Sequence, residues 1–203
     1  MPDFHFYEPS NGHDLPHDPF KAIVAPRPIG WISTVDIEGR VNLAPYSFFN
    51  AFGGAPPLIG FSSEGPKDTE TFAEETGEFV WNMTTTTLGE AMNASSASLP
   101  RGKSEFEFAG LEMADCVLVK APRVAASPCS LECKVTEIFH LKDIRGMKMG
   151  NILTIGQVVG VHLDEFFIRE GQFDLAAANP IMRCGYAGDY AKIGAMFKMT
   201  RPG

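Results

Sequence analysis

The sequence predicts a mainly β protein, an antiparallel barrel with a few helices packed outside it. Strand-like segments outnumber helical ones, short turns join successive strands, and no repeated strand–helix–strand rhythm is present. The chain has 203 residues, of which 44 % are hydrophobic, which is enough to bury one substantial core. We therefore expect one globular domain over residues 25–203. Residues 1–24 are rich in His, Pro and Asp without a sustained period, which predicts an N-terminal arm.

The first predicted element is a strand hairpin after this arm. From Ile29 to Val35 the side chains alternate between the two faces of a predicted strand. The DIEG turn follows, where Gly39 can adopt the positive φ that closes a hairpin. Residues 41–44 then begin the return strand.

The remaining elements follow from the same signals. Strands are predicted over residues 57–63 and 78–84, and two long ones over 130–141 and 151–163, separated by the turn-prone DIRGMKMGN. A helix is predicted over residues 68–76, with Asp68 or Thr69 as N-cap and Gly77 as its stop. A second short helix is predicted over residues 87–97.

Composition excludes several classes of function. The net charge of −8 and the pI near 5.1 argue against a nucleic-acid partner. No apolar run approaches the roughly 20 residues of a membrane-spanning helix, and the N-terminus lacks the features of a signal peptide. We therefore expect no membrane association and a cytoplasmic location. The four cysteines form no CxxC pair, so we expect reduced, mostly buried thiols and no metal site.

The first candidate site is SSEGPKDTETF, residues 62–72. Ser62 and Ser63 end a strand, and Lys67 stands directly before a helix that starts with Asp68 and Thr69. Unpaired N–H groups at a helix N-terminus, a lysine and a hydroxyl together suit a phosphate monoester. The alternative is that Asp68 only caps the helix and Lys67 is solvated.

The second candidate site is NLAPYSFFN, residues 42–50. Pro45 cannot donate a ladder hydrogen bond, so we expect strand pairing to be disrupted there. Backbone groups freed in this way could contact the polar edge of a planar heterocycle. The alternative is a bulge at a barrel corner, with Phe48 and Phe49 in the core. Neither GxGxxG nor the P-loop pattern is present.

Several ordered motifs together resemble a known family. PRPIGWISTVDIEGRVNLAPYSFFN, PPLIGFSS, the KDT triplet and EFVWNM look like the flavin reductase-like family, which has the FMN-binding split-barrel fold of Greek-key type. Residues 92–128 are similar to a subgroup of flavoprotein oxidoreductases and reductase components of two-component monooxygenases. The tail PIMRCGYAGDYAKIG resembles the closing strand of the family, with an arginine and a tyrosine near the flavin. The resemblance covers about residues 20–195.

The resemblance implies a set of cofactor-binding residues. The isoalloxazine ring would lie against part of this set: Ser33, Thr34, Asn42, Ala44, Pro45, Tyr46, Ser47 and Phe48. The ribityl chain and phosphate would be held by Ser62, Ser63, Lys67 and Thr69, and Asp68 completes the set. Lys67 stands where some relatives have arginine, which keeps the charge but loses bidentate geometry. Gly53 and Gly54 are expected to loosen the loop after FFNAF.

The resemblance also implies an activity: NAD(P)H reduces FMN by hydride transfer to flavin N5, in a homodimer with the flavin near the subunit interface. Reduced flavin could then pass to a partner oxygenase. The alternatives are a flavoredoxin-like electron carrier or sensor without NAD(P)H turnover, and a barrel that has lost its flavin. No proton donor is assigned, and His140, His162 and Tyr186 are interpreted as core or rim residues.

Overall fold

The computed structural model describes residues 2–100 and 102–202, and it confirms the mainly β prediction. The α-helices of the described residues are short: α1 Phe20–Ile23, α2 Asp68–Thr76, α3 Gly89–Ala94, α4 Glu105–Phe108 and α5 Leu175–Ala178. Two 3-10 turns cover Pro9–Asn11 and Glu165–Phe167. The strands are β1 Arg27–Pro28, β2 Gly30–Val35, β3 Val41–Tyr46, β4 Phe49–Gly54, β5 Pro57–Glu64, β6 Glu78–Asn82, β7 Met113–Ala114, β8 Arg123–Val124, β9 Cys129–Lys142, β10 Lys148–Leu163, β11 Ile168–Arg169, β12 Gln172–Phe173, β13 Ile181–Arg183 and β14 Tyr190–Lys192.

One seven-stranded antiparallel sheet, in the order β3-β2-β6-β9-β10-β5-β4, forms the body of the protein. Tyr46 of β3 contacts Phe61 of β5, with ring centroids 4.8 Å apart, although four strands separate β3 from β5 in this order. The sheet therefore curls round upon itself into a barrel. Its two edge strands, β3 and β4, are consecutive in the chain, and among the described strands they are not paired with each other. The barrel is thus split between them.

The two faces of the curled sheet carry separate hydrophobic clusters. The interior cluster draws one or more buried side chains from each of five strands: Ile32, Tyr46, Ile59, Phe61, Phe79 and Cys133. An outer cluster lies between the sheet and helices α3 and α4, and contains Ile29, Trp31, Leu43, Leu88, Met92, Phe106 and Val124. Strand β2 contributes Ile32 to the first and Trp31 to the second, which confirms the predicted alternation. Every residue of β2 is buried.

The locally signalled elements occur as predicted. Gly39 closes the β2–β3 turn with φ 84°, and α2 has the predicted bounds with Gly77 at φ 72° after its last residue. Helix α3 is shorter than the prediction, because only Gly89–Ala94 is helical. The loop expected around Gly53 and Gly54 is instead the end of β4. This edge strand pairs with β5 and is mostly exposed, so its sequence lacks the alternation that marks a half-buried strand.

The tail returns to the barrel. Strand β13 pairs with β1 and β14 in a small three-stranded sheet, and Ile181 packs against the outer cluster. The predicted arm, residues 2–24 of the described chain, carries only the first 3-10 turn and α1. The four cysteines are free thiols, and two of them, Cys129 and Cys133, are buried, whereas Cys116 and Cys184 are partly exposed. No helix among the described residues is long and apolar enough to cross a membrane.

Candidate functional site

Two adjoining clefts lie along the edge strand β3, and they share Pro45, Tyr46 and Ser96. The tail cleft, about 310 Å³, is formed by the end of β3, helix α3 and the C-terminal tail. The helix cleft, about 400 Å³, is formed by β3, the start of α2 and residues 95–99. Both volumes fall within the range of about 300–1,000 Å³ that small-molecule sites occupy.

The wall between the clefts is the end of β3. The register runs without a shift from Val41 to Tyr46, and Pro45 is opposite Trp31 of β2. The prediction that Pro45 disrupts pairing is therefore wrong, and there is no bulge at this position. Proline is tolerated because β3 is an edge strand, where the missing N–H would face away from the sheet. Of the two phenylalanines in the bulge alternative, Phe49 is stacked on Trp81 and packs against the interior cluster.

Eight of the thirteen predicted site residues line these clefts. Seven line the helix cleft: Asn42, Ala44, Pro45, Tyr46, Lys67, Asp68 and Thr69. Ser47 lines the tail cleft, together with Pro45 and Tyr46. Segments separated by more than twenty residues in the sequence are thus brought into one elongated site.

The helix cleft ends at the first turn of α2. The N-cap of this helix is Lys67, one residue earlier than predicted, and its extended backbone has φ −136°. The Lys67 backbone N–H donates to Glu70 Oε2 over 3.3 Å, which closes the turn. The exposed Lys67 ammonium lies 6.0 Å from the centre of the Tyr46 ring. A positive side chain and the first-turn amides therefore meet at one end of the cleft, which is suitable chemistry for a phosphate.

A buried hydrogen-bond chain supports the floor of the helix cleft. Thr69 Oγ1 donates to Asn42 Oδ1, and Asn42 Nδ2 donates to Glu105 Oε2 over 3.3 Å. The Leu43 N–H also donates to Glu105 Oε2, over 3.1 Å. Burial raises the pKa of Glu105, and the nearby Asp68 adds to this effect. Glu105 was missed in the sequence, because nothing local connects it with a strand that lies 63 residues earlier.

Three hydroxyls among the predicted site residues are buried without a hydrogen-bond partner in the described part of the chain: Thr34 Oγ1, Tyr46 Oη and Ser62 Oγ. Burial raises the pKa of Tyr46 to about 12 and outweighs the Thr69 and Ser63 side chains, which lie near enough to lower it but make no well-formed hydrogen bond, so this phenol is neutral at physiological pH. Unpaired buried hydroxyls are costly, and a polar ligand along β3 would offer a partner to the one that lines the clefts, Tyr46 Oη. The residues present therefore fit a ligand with a phosphate at one end and hydrogen-bonding groups along its length.

The other predicted residues lie behind the wall. Ser33 is fully buried and donates to the Pro122 carbonyl over 2.5 Å. Ser63 donates to the Gly65 carbonyl over 2.6 Å and so shapes the turn before Lys67. Phe48 is half-buried, with the Lys21 ammonium 5.7 Å from its ring centre. These side chains, with Thr34 and Ser62, do not line either cleft.

The tail supplies the arginine and the tyrosine that the resemblance implies. The Arg183 guanidinium lies 4.6 Å from the centre of the Tyr190 ring, and both residues line the tail cleft. Residues 92, 93 and 96, at and after α3, form another part of this cleft and were not predicted. Trp31 Nε1 donates to Ser95 Oγ over 2.9 Å, which fixes this segment on the barrel.

The fold is thus a split barrel with an elongated candidate site along its edge strand β3. The model of the flavin reductase like domain matches residues 24–172, and the chain belongs to this family. The resemblance found in the sequence is thus confirmed, and the class is that of a flavin-binding oxidoreductase fold. A protein of uncharacterised function from Halalkalibacterium halodurans is 38 % identical over 184 residues, which cover 88 % of this chain and 87 % of the relative.

Solved structures agree with this assignment. Nitrilotriacetate monooxygenase component B from Bacillus cereus is 30 % identical, with a TM-score of 0.88, over 98 % of this chain and 100 % of its own. The flavoredoxin of Desulfovibrio vulgaris has a TM-score of 0.77 at 20 % identity, over 87 % of this chain and 91 % of its own. The second likeness concerns the fold alone.

Proposed function

We propose that this chain binds FMN along the two clefts and acts as an NAD(P)H-dependent flavin reductase. The observation that carries the proposal is the elongated site itself, which has phosphate chemistry at α2 and a backbone wall at Pro45 to Ser47. FMN, when bound, supplies the redox chemistry by accepting a hydride from the reduced nicotinamide.

The protein's part is to bind and to orient. Lys67 and the first turn of α2 would hold the phosphate, with Thr69 positioned by Asn42. The end of β3 would support the ring, and the unpaired Tyr46 hydroxyl would gain a hydrogen-bond partner. Thr34, Ser62 and Ser63 line neither cleft and would support the wall from its far side. No proton donor is assigned.

Absorbance spectroscopy tests the proposal. Protein soaked in FMN and desalted should retain flavin absorbance at about 450 nm. Anaerobic addition of NADH or NADPH should then bleach it, and the faster of the two identifies the donor. If the protein retains flavin that neither nucleotide bleaches, the function is that of an electron carrier or sensor instead of a reductase. Protein that retains no flavin would leave either a reductase that binds FMN only transiently or a barrel that has lost its flavin, and turnover of NADH with added free FMN would distinguish these two.

Lys67 gives the sharpest variant. Lys67→Ala should weaken FMN binding about ten- to a hundredfold, because a charge-assisted contact to the phosphate is lost. Riboflavin has no phosphate, so its affinity should change little. Lys142→Ala, an exposed lysine at the end of β9, is the matched control. Equal weakening of FMN and riboflavin would remove Lys67 from the phosphate site.

We also propose a homodimer and a partner oxygenase that consumes reduced flavin. Phe4 and Phe6 of the arm are more than 80 % exposed, and Ile144 and Met147 at the β9–β10 turn are also exposed, which favours burial against a second copy. The resemblance to a monooxygenase component favours the oxygenase. Free thiols are typical of the cytoplasm, which we propose as the compartment. Light scattering of the eluting protein would measure the oligomeric state.

A further inference from the structure

The tail cleft is electrostatically one-sided. Among the described residues that line this cleft, Arg183 alone has a charged side chain, and Ser47, Asn93 and Ser96 supply neutral polar groups. No described carboxylate lines the cleft. In a chain with a net charge of −8, this is a local positive site.

The Arg183 side chain is held in place while most of its donors stay available. Its Nη1 donates to the Asp189 backbone carbonyl over 2.9 Å, and its plane lies near the Tyr190 ring. The Asp189 carboxylate accepts from the Tyr186 N–H instead. Arg183 has no ion-pair partner among the described residues, and a guanidinium carries five N–H donors. Such a group is preorganised to bind a carboxylate or phosphate.

A second arginine lies directly opposite in the small sheet. Arg27 of β1 and Arg183 of β13 are register partners, and like charges at such positions are unfavourable. Arg27 is buried, donates to the carbonyls of Ser47, Lys21 and Val24, and also has no ion-pair partner among the described residues. An unfavourable pair of cations beside a cleft would be offset by an anion bound in that cleft.

We propose that Arg183, supported by Arg27, binds an anionic group of the second substrate, so that the tail cleft selects a carboxylate- or phosphate-bearing molecule. This rests on the proposed function, because the second substrate must share the site with the flavin. The competing explanation is structural: Arg183 only closes the tail turn through Asp189 and Tyr190. Binding measurements separate the two, because a structural residue does not distinguish charged from neutral ligands.

The experiment uses two matched pairs of probes on FMN-loaded protein. Nicotinate and nicotinamide differ by a carboxylate, and nicotinamide mononucleotide and nicotinamide riboside differ by a phosphate. Dissociation constants are measured from the change in the visible absorbance of the bound flavin. The variants are Arg183→Gln and Arg183→Lys, and Arg169→Gln, an exposed arginine of β11, is the control.

Wild type should bind the anionic member of at least one pair more tightly than the neutral member. Arg183→Gln should weaken that anion about ten- to a hundredfold and leave the neutral ligand within about twofold. The dissociation constant of that anion for Arg183→Lys should lie between those of wild type and Arg183→Gln, and the value for Arg169→Gln should match wild type. The pair that responds identifies the carboxylate or the phosphate.

Equal weakening of both members of each pair, or no weakening, would overturn this inference. So would a wild type that does not prefer either anion. These outcomes leave the flavin spectrum and its bleaching by NADH or NADPH intact, whereas failure of the proposed function appears before any probe is added, as no retained flavin or as retained flavin that neither nucleotide bleaches.

Discussion

Replacing Glu132 should loosen a loop that the barrel holds through one buried carboxylate. Glu132 of β9 is 1 % exposed. Its Oε1 accepts from the Val117 N–H over 2.9 Å and lies 2.6 Å from His162 Nε2. Its Oε2 accepts from the N–H groups of Leu118 and Val119 over 2.6 and 2.9 Å. One side chain thus fixes three consecutive residues of the loop before β8.

Glu132→Gln keeps the shape and removes the charge. The amide nitrogen cannot accept from Val117, and the remaining bonds to the carbonyl lose their charge assistance. Hydrogen bonds to a charged group contribute about 1.5–3 kcal/mol each, so the variant should lose about 3 kcal/mol of the free energy of unfolding. For a chain of this length that is a fall in Tm of roughly 6–12 °C.

The loss should depend on pH in a defined direction. Burial alone would raise the pKa of Glu132, but the N–H groups of Val117 to Val119 and the His162 side chain outweigh it and lower the pKa below its ordinary 4.5. A folded pKa below the unfolded value adds stability above the unfolded pKa, and that stability is lost as the pH falls through the folded pKa. The difference between wild type and variant should therefore be full at pH 7 and shrink below about pH 4.5.

Urea unfolding followed by tryptophan fluorescence, at neutral and acid pH, measures both effects. Glu137→Gln on the same strand is exposed and should leave the midpoint unchanged. A loss below about 1 kcal/mol at pH 7 would refute the role of the carboxylate. A larger loss that does not vary with pH would refute the role of its charge.

Two further substitutions test the packing and the site. Gly156→Ala should lower the free energy of unfolding, measured in urea, by about 1–3 kcal/mol, because its Cβ would lie 2.5 Å from Cε1 of the buried Phe79. Gly150→Ala is the control, since it has open space around it and should not change the free energy of unfolding. Equal urea midpoints for the two variants would show that the barrel interior can adjust to the added methyl group. Tyr46→Phe should leave the stability of the flavin-free protein nearly unchanged, because the buried hydroxyl only approaches the Thr69 and Ser63 side chains and makes no well-formed hydrogen bond, and should weaken FMN binding by a few-fold to about tenfold in a fluorescence titration. A flavin-free variant destabilised by more than about 1 kcal/mol would show that the hydroxyl is already paired.

Elements with local signals could be predicted from the sequence. Helix α2 has its start and stop encoded within a few residues, with polar residues in the first turn and Gly77 at a positive φ. Strand β4 could not be predicted in this way, because it exists only through pairing with β5, where Phe49 is opposite Phe61. Its exposed side chains carry no alternation, so the two glycines at its end resemble a loop.

The candidate site likewise contains residues with a local sequence signal and residues without one. The motif around Lys67 and the end of β3 each bring their chemistry within a short stretch, and both line the clefts. Glu105 and Arg183 arrive from distant segments, through hydrogen bonding to Asn42 and through pairing of β13 with β1. Their positions depend on tertiary contacts for which the sequence has no local signal.

The location of the site follows from the split in the barrel. An unpaired sheet edge exposes backbone groups and must be covered, and here the cover over β3 comes from α3, residues 95–99 and the tail rather than from a further strand paired with β3. Such a cover does not satisfy every polar group, and it leaves two adjoining clefts with Tyr46 between them. A ligand that lies along β3 would complete the cover and pair the remaining groups. Binding at this place should therefore stabilise the barrel itself, because a ligand that binds only the folded state raises its stability by mass action.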